Sequence, residues 1–285
     1  MAHKGTTSPG TRVTILDTTP ILVEGLSSST TPSVSRPRSE YTPINETTKR
    51  KYKTGRPAIG TGSFSAAFDP TDPSHLRVLE LAQAAPDAAI KDWEWALTDQ
   101  GAAAFKVPVF VSEFGLDFEN EGVAKLTFGV QATAGLAKQV AATVVTPSAV
   151  YDPEVCQGSA LHLYVGAAYV PIEGVLKFSL KAAGRDATPA TAIEAAAKGT
   201  IPGYVGEKTL DMEIMYDSTM ATTHGALYAS ANSMAPVQDK FKIVMPGGKS
   251  IILDPVNVDK FDLPGAPGLN VIKVSGVYSG TVVVV

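Results

Sequence analysis

The sequence has 285 residues, of which 44% are hydrophobic and 18% are charged, and its formal net charge is −4. This apolar content excludes a disordered chain, and the negative charge argues against sequence-independent binding of nucleic acid as the main function. A weakly negative surface would nevertheless let DNA pass without adhering to it. The single cysteine, Cys156, excludes an intrachain disulfide framework and a Cys-rich metal site, so we expect a small, partly buried apolar side chain there.

The chain is expected to be soluble and made in a cytoplasm. The N-terminal segment Met1–Gly10 is polar and lacks the apolar core of a signal peptide. The uncharged stretch Cys156–Ile172 contains a histidine, two glycines and a proline, and it is too short and too polar for a membrane span.

In the first half of the chain the pattern predicts strands around one short helix. Asp72 can cap a helix with Pro73 at its first position, and this helix should stop near Pro86. Apolar and polar residues alternate as in half-buried strands in four stretches: Ser63–Phe68, Asp92–Leu97, Val107–Val111 and Ala124–Gln131. The segment Asp117–Gly122, with Glu119, predicts a hairpin loop.

The second half predicts the same plan. A short helix is expected around His224–Ala231. Strands are expected at Leu210–Tyr216, Phe241–Met245, Ile251–Phe261 and Leu269–Ser275, with Pro246-Gly247-Gly248 as a hairpin turn.

Residues of the first half recur in the same order in the second half, 146 to 149 positions later. This series indicates a tandem duplication. Its pairs are Glu24/Glu173, Pro43/Pro189, Thr54/Thr200, Gly60/Gly206, Asp69/Asp217, His75/His224, Phe114/Phe261 and Gly122/Gly268.

The duplication predicts a mainly β protein of two tandem β-sandwich or β-barrel domains, each with one short flanking helix and a long inserted loop. We place the first domain at residues 1–145, with a polar N-terminal arm at 1–12, and the second at residues 146–285. The insertions are Ser27–Tyr41 and Lys181–Lys198; since long loops without a core of their own are typically functional or disordered, we expect a neighbouring subunit to pack on them.

Candidate catalytic and metal-binding residues are scattered. His75 and His224 belong to different domains and are expected to pack beside the two short helices, and no metal-binding or nucleophile motif is present. The segment Gly60–Ser65 resembles a phosphate-binding loop only faintly, because it lacks the Gly-Lys-Ser/Thr ending and leads into a strand. We therefore expect no enzyme activity, no metal and no cofactor.

Basic residues cluster between positions 36 and 56, and the rest of the chain is acidic. Complementary faces of identical subunits explain this pattern better than DNA binding does. The candidates for contacts between subunits or rings are Arg36, Arg38, Lys49, Arg50, Lys51 and Lys53, together with Arg185 of the second insertion. The terminal segment Thr281–Val285 is apolar, uncharged and prone to form a strand, so Val283 and Val285 are added, and we expect this segment to be paired or covered in an assembly.

The order of these strands and turns resembles that of the major tail tube proteins of bacteriophages with long non-contractile tails. The resemblance is carried by Gly55–Phe68, Asp69–Leu79, Asp92–Leu97, Ser112–Leu116 and Gly122–Gly135, and the second half keeps the same outline. It implies a structural protein of the virion whose domains form rings of six that stack into the tube through which the genome passes, with a long loop that reaches the next ring.

Two domains per chain would then give a trimeric ring with pseudo-six-fold symmetry. The implied partners are other copies of the chain and the tail terminator, tape-measure and baseplate proteins, with no membrane contact. The alternative is a baseplate or fibre-type binding module, which would not form tubes by itself.

Overall fold

The structure is a computed structural model that describes residues 11–30, 32–36, 38–40, 52–54, 58–97, 103–119, 122–133, 138–147, 151–154, 156–182, 184–189, 200–215, 221–235, 237–262 and 271–285. These residues form a mainly β protein, which confirms the predicted fold class.

The N-terminal half contains the first twelve strands. They are β1 (Thr11–Leu16), β2 (Ile21–Leu22), β3 (Leu26–Thr30), β4 (Val34–Ser35), β5 (Arg38–Glu40), β6 (Tyr52–Thr54), β7 (Ala58–Ile59), β8 (Thr61–Ala67), β9 (Lys91–Leu97), β10 (Ala103–Glu119), β11 (Lys125–Ala132) and β12 (Lys138–Ala141). Helices α1 (Pro73–Gln83) and α2 (Pro86–Ala89) lie between β8 and β9. The antiparallel pairing order is β2-β1-β9-β10-β11-β8-β3, and the insertion folds into the small pairs β4/β7 and β5/β6.

In the C-terminal half the described residues form ten strands. They are β13 (Ala160–Val165), β14 (Ala168–Pro171), β15 (Val175–Ala182), β16 (Ala187–Pro189), β17 (Thr200–Pro202), β18 (Lys208–Met215), β19 (Asp239–Val244), β20 (Ser250–Asp262), β21 (Val271–Tyr278) and β22 (Val283–Val284), with helix α3 (Ala221–Ala231) after β18. The pairing order is β14-β13-β19-β20-β21-β18-β15, so each strand repeats the place of its counterpart in the first half.

Two matched pairs of β-bulges strengthen this correspondence. The β10/β11 pairing shifts between Val111 and Glu113, and the β20/β21 pairing shifts 147 positions later, between Val258 and Lys260. The β3/β8 pairing shifts between Leu26 and Ser28, and β15/β18 shifts 149 positions later, between Val175 and Lys177. Because a bulge is a specific local feature, its recurrence at matching positions fixes the residue correspondence more firmly than sequence identities do.

The two histidines predicted to pack beside the helices lie within them, His75 in α1 and His224 in α3. His75 and His224 are buried, and the Nε2 of each lies 3.1 Å from a backbone carbonyl oxygen, of Glu24 and Glu173 respectively. In each half the glycine after that glutamate has positive φ, 63° at Gly25 and 71° at Gly174. The two halves thus repeat the same contact between the helix and the turn before the edge strand.

The start of α1 follows the predicted capping. The Asp72 Oδ1 accepts hydrogen bonds from the backbone N–H groups of Ser74 at 2.7 Å and His75 at 3.3 Å, and Pro73 opens the helix. Within each half, alternating residues of the strands face a continuous core that includes the buried rings of Trp93, Phe128 and Phe241.

The two halves are joined edge to edge. Strand β15 pairs with the C-terminal part of β10, from Phe114 opposite Ala182 to Glu119 opposite Lys177. The rings of Phe118 and Phe178 stack across this junction, 4.7 Å apart. One sheet therefore runs through both halves, with β3 at one end of its main path.

Two sequence predictions need correction. Glu119, expected in a hairpin loop, lies in β10, because pairing with β15 extends that strand to its last residue. The matches Thr54/Thr200 and Gly60/Gly206 are out of register. Thr54 lies opposite Arg38, and at the equivalent place Pro202 lies opposite Ala187, so the structural counterpart of Thr54 is Pro202. The predicted boundary between residues 145 and 146 stays a prediction, and the backbone of Glu154 still bonds to Phe68 and Ala124 of the first half.

Candidate assembly surfaces

The basic candidates of the first insertion lie on the surface wherever the structure describes them. Arg36, Arg38 and Lys53 are exposed. Lys49, Arg50 and Lys51 lie outside the described residues. Arg38 and Lys53 sit in the paired strands β5 and β6, where Arg38 lies opposite Thr54 and Lys53 opposite Ser39. The role of these residues in subunit contacts stays a prediction.

Arg185 makes a contact within its own chain. It is only 5% exposed, and its Nη2 donates to the carbonyl oxygens of Ala82 at 2.9 Å and Ala84 at 2.5 Å, at the C-terminal end of α1. Its Nη1 donates to Gly203 O at 3.1 Å. Burial lowers the pKa of the guanidinium group, but the free carbonyls and the negative end of the helix dipole favour a cation there.

The backbone of Arg185 continues the junction. Its N–H donates to the carbonyl oxygen of Ser112, the extra residue of the β10 bulge, at 2.7 Å. Arg185 therefore fastens the second half to both the sheet and the helix of the first half. The Nη1, Nη2 and backbone N–H groups of Arg185 bond to acceptors of the same chain, and the sequence-based assignment of Arg185 to a contact between chains stays a prediction.

The terminal segment pairs with a strand of the same chain, and its predicted pairing or covering in an assembly stays a prediction. Val283 lies opposite Ile252 in β20, and the backbones of Val285 and Ser250 exchange hydrogen bonds of 2.8 and 2.9 Å. Strand β12 pairs with the corresponding part of β10 in the first half. Val283 and Val285 remain 49% and 59% exposed, so their contribution to subunit contacts stays a prediction.

The residues that sequence reasoning weighed for chemistry lie in packed surroundings. Cys156 is buried, as predicted, and burial raises the pKa of its thiol. Across the described ranges no group of three or more His, Cys, Asp or Glu side chains is arranged to hold a metal ion. Nor does any helix in those ranges combine the length and the apolar character needed to cross a bilayer.

One face of the continuous sheet is polar. In β18 the buried residues Leu210, Met212 and Ile214 alternate with the partly exposed Thr209, Asp211 and Glu213. A depression of about 360 Å³ crosses the junction on this face, and its charged lining consists of Asp117, Glu119, Lys177, Lys181, Asp211, Glu213 and Lys273. These four carboxylates and three ammonium groups leave the lining close to neutral, and Glu213 lies within 3.4 Å of both Lys177 and Lys273.

Two strand edges, unlike those at the junction, have no partner among the described strands. Among the described strands, β3 pairs only with β8. The pairing of β19 along β20 ends at Val256, so the same edge of β20 has no described partner from Asn257 to Asp262. Sequence reasoning missed these surfaces, although the recurrence of Arg36 as Arg185, 149 positions later, was a signal for them.

The exposed ends of the helices also differ. At the end of α1, Leu79 and Leu81 are 3% and 1% exposed, and the Leu81 carbonyl oxygen accepts a hydrogen bond from Arg185 of the second half. At the end of α3, Tyr228 is 48% exposed and Met234 is 105% exposed. The C-terminal half thus carries an open surface where the N-terminal half carries a covered one.

Part of the chain is similar to a known protein. No family model matches the chain. The chain is similar to "Structural protein 3" of Pseudomonas phage PAJU2, with 30% identity over 32% of this chain and 66% of that protein. The chain thus spans slightly less than two thirds of that protein's length. The likeness supports the coarse expectation of a phage structural protein.

Proposed function

We propose that the chain is a structural component of a bacteriophage virion that assembles into stacked rings and forms the tail tube. The observation that carries this proposal is the β10/β15 junction, in which two similarly folded halves already join edge to edge. An edge-to-edge joint between similar units generates a ring when its rotation closes.

The polar face of the sheet suits the lining of a channel for DNA. Hydroxyl groups and nearly balanced charges present no cluster of unpaired cations, so the phosphate backbone would pass without strong binding. The α-helices pack against the opposite, apolar face, where Tyr228 of α3 contacts Phe261 of β20. The proposed ring therefore turns the sheet inward and the helices outward.

Each ring is proposed to contain three chains, which supply six halves. Other copies of this chain are the main partner, and the tail terminator, tape-measure and baseplate proteins are the proposed partners at the ends of the tube. The similarity to a phage structural protein supports a role in the virion. The protein is proposed to be made in the host cytoplasm and to act without catalysis.

Negative-stain electron microscopy of the purified chain tests this proposal directly. We expect rings or tubes with a six-fold outline, and a single ring of three 29.8 kDa chains, about 89 kDa by native mass spectrometry. Six chains per ring would contradict the trimer. A chain that stays monomeric but binds another virion protein would favour the baseplate or fibre-type module.

A further inference from the structure

The junction inside the chain also shows how two chains would meet. We propose that the open edge of β3 and the side chain of Arg36 dock onto the end of β20 and the C-terminal end of α3 in a second copy of this chain. This inference rests on the proposed ring, and it names the surfaces and the register of its joints.

The bulges fix the correspondence on both sides of the joint. Positions of β10 and β20 differ by 147, and positions of β3 and β15 differ by 149. The correspondence extends past the end of β3. The Gly60 N–H donates to the Ser33 carbonyl oxygen at 2.8 Å, and at the equivalent place in the second half Lys208 lies opposite Ala182.

These differences in position allow the register of the joint between chains to be predicted from the register of the β10/β15 junction. Inside the chain, Gly115 lies opposite Lys181 and Phe114 opposite Ala182. Between chains, Asp262 of one copy should lie opposite Pro32 of the next, and Phe261 opposite Ser33. Both strands of this antiparallel joint contribute an edge that has no partner among the described strands.

Arg36 occupies the position of Arg185. Arg185 is buried on the carbonyls at the end of α1, whereas Arg36 is exposed, and none of the described residues is recorded as its partner. Counting from the equivalent histidines, the matching carbonyls at the end of α3 belong to Ser230–Ser233. In the joint, the Arg36 guanidinium group would bind there and its backbone N–H would donate to the carbonyl of Asp259.

The open surface at α3 agrees with this assignment. Tyr228 and Met234 are exposed at the end of α3, and large apolar side chains at one spot of a surface are typical of a docking site. At the corresponding end of α1, Arg185 of the second half binds the carbonyl oxygen of Ala84.

Cysteine cross-linking tests the register. The double variant Pro32→Cys/Asp262→Cys should form covalent dimers and trimers on a non-reducing gel after mild oxidation, since opposed residues of an antiparallel pair lie within disulfide reach. Pro32→Cys/Lys260→Cys is the matched control, about 7 Å out of register, and should cross-link far less. Cys156 stays in place because it is buried.

A second variant pair tests Arg36 separately. Arg36→Ala should raise the protein concentration needed for assembly about tenfold or more, as expected when charge-assisted hydrogen bonds to helix-end carbonyls are lost. Arg36→Lys keeps the charge but replaces the planar fork with one ammonium group, so it should raise that concentration less than Arg36→Ala does.

The outcomes separate this inference from the proposed function. Rings of the unsubstituted chain that neither cross-link at positions 32 and 262 nor respond to Arg36→Ala would overturn the inference and leave the ring proposal standing. A disulfide that forms within one chain would overturn the inference as well. A chain that forms no assembly at any concentration would overturn both.

Discussion

Arg185→Ala removes the side chain that fastens the second half of the chain to helix α1. Three of the hydrogen bonds that its guanidinium group donates, to Ala82, Ala84 and Gly203, are 2.5 to 3.1 Å long. Hydrogen bonds to a charged group contribute about 1.5–3 kcal/mol each. The cost of burying the cation, visible in its lowered pKa, and the return of water to the freed carbonyls offset part of that sum.

We therefore expect Arg185→Ala to lower the free energy of unfolding by about 2–4 kcal/mol. For domains of roughly 150–250 residues each kcal/mol shifts Tm by about 2–4 °C, so the loss of several degrees is readily measured. Urea unfolding of the monomeric chain, followed by the fluorescence of the buried Trp93 and Trp95, gives the free energy.

Two variants frame the result. Arg185→Lys keeps the charge but offers one ammonium group instead of a planar fork, so an intermediate loss is expected. Arg38→Ala removes an exposed arginine and should change the free energy by less than about 0.5 kcal/mol. If Arg185→Ala lowered the free energy of unfolding no more than Arg38→Ala, the guanidinium contacts would not hold the halves together. The proposed Arg36 contact between chains, which is inferred from the Arg185 contact, would then lose its support.

Three further predictions follow from local geometry. Gly25→Ala should lower stability by more than about 2 kcal/mol, because an added Cβ would lie 1.9 Å from the Tyr151 Oη; Gly166→Ala, also at positive φ but with open space around it, should cost only about 1 kcal/mol, and equal losses in thermal unfolding would contradict the clash. Deleting residues 281–285 should weaken both folding stability and assembly, because it exposes the edge of β20 that β22 covers; unchanged Tm and ring yield would argue against that role. The pKa of Asp17 is lowered by its hydrogen bonds with Lys91 and the Thr18 N–H. The Asp17 carboxylate should therefore stabilise the fold above the usual carboxyl pKa near 4, and that contribution should be lost as pH falls through the lower pKa of the folded state. Asp17→Asn should accordingly reduce the loss of stability in acid titrations by less than about 1 kcal/mol.

Most strands were predictable because each has one buried and one solvent-facing side. The alternation in Lys125–Ala132 and Lys208–Met215 is visible in the sequence, and both strands lie within about two residues of the predicted bounds. The cap of α1 was equally readable, since Asp72 and Pro73 act through neighbours in the sequence.

The contacts between the halves were not predictable from such local signals. Nothing in the sequence of Asp117–Glu119 distinguishes a hairpin loop from a strand that a distant segment extends, and only the pairing with β15 decides it. Arg185 was a candidate because of its charge and its place in an insertion, and its burial depends on where the end of α1 lies in space. The partner of Val283 likewise depends on which edge of β20 is open.

The covalent link between the halves changes how one joint responds to dilution. Strand β15 meets β10 at the effective concentration set by a tether, on the order of millimolar for short flexible linkers, whatever the amount of protein in solution. A joint between chains has no such tether and weakens as the protein is diluted. A ring of three such chains would therefore have three joints made during folding and three made by collision, and on dilution it would separate only at the second set.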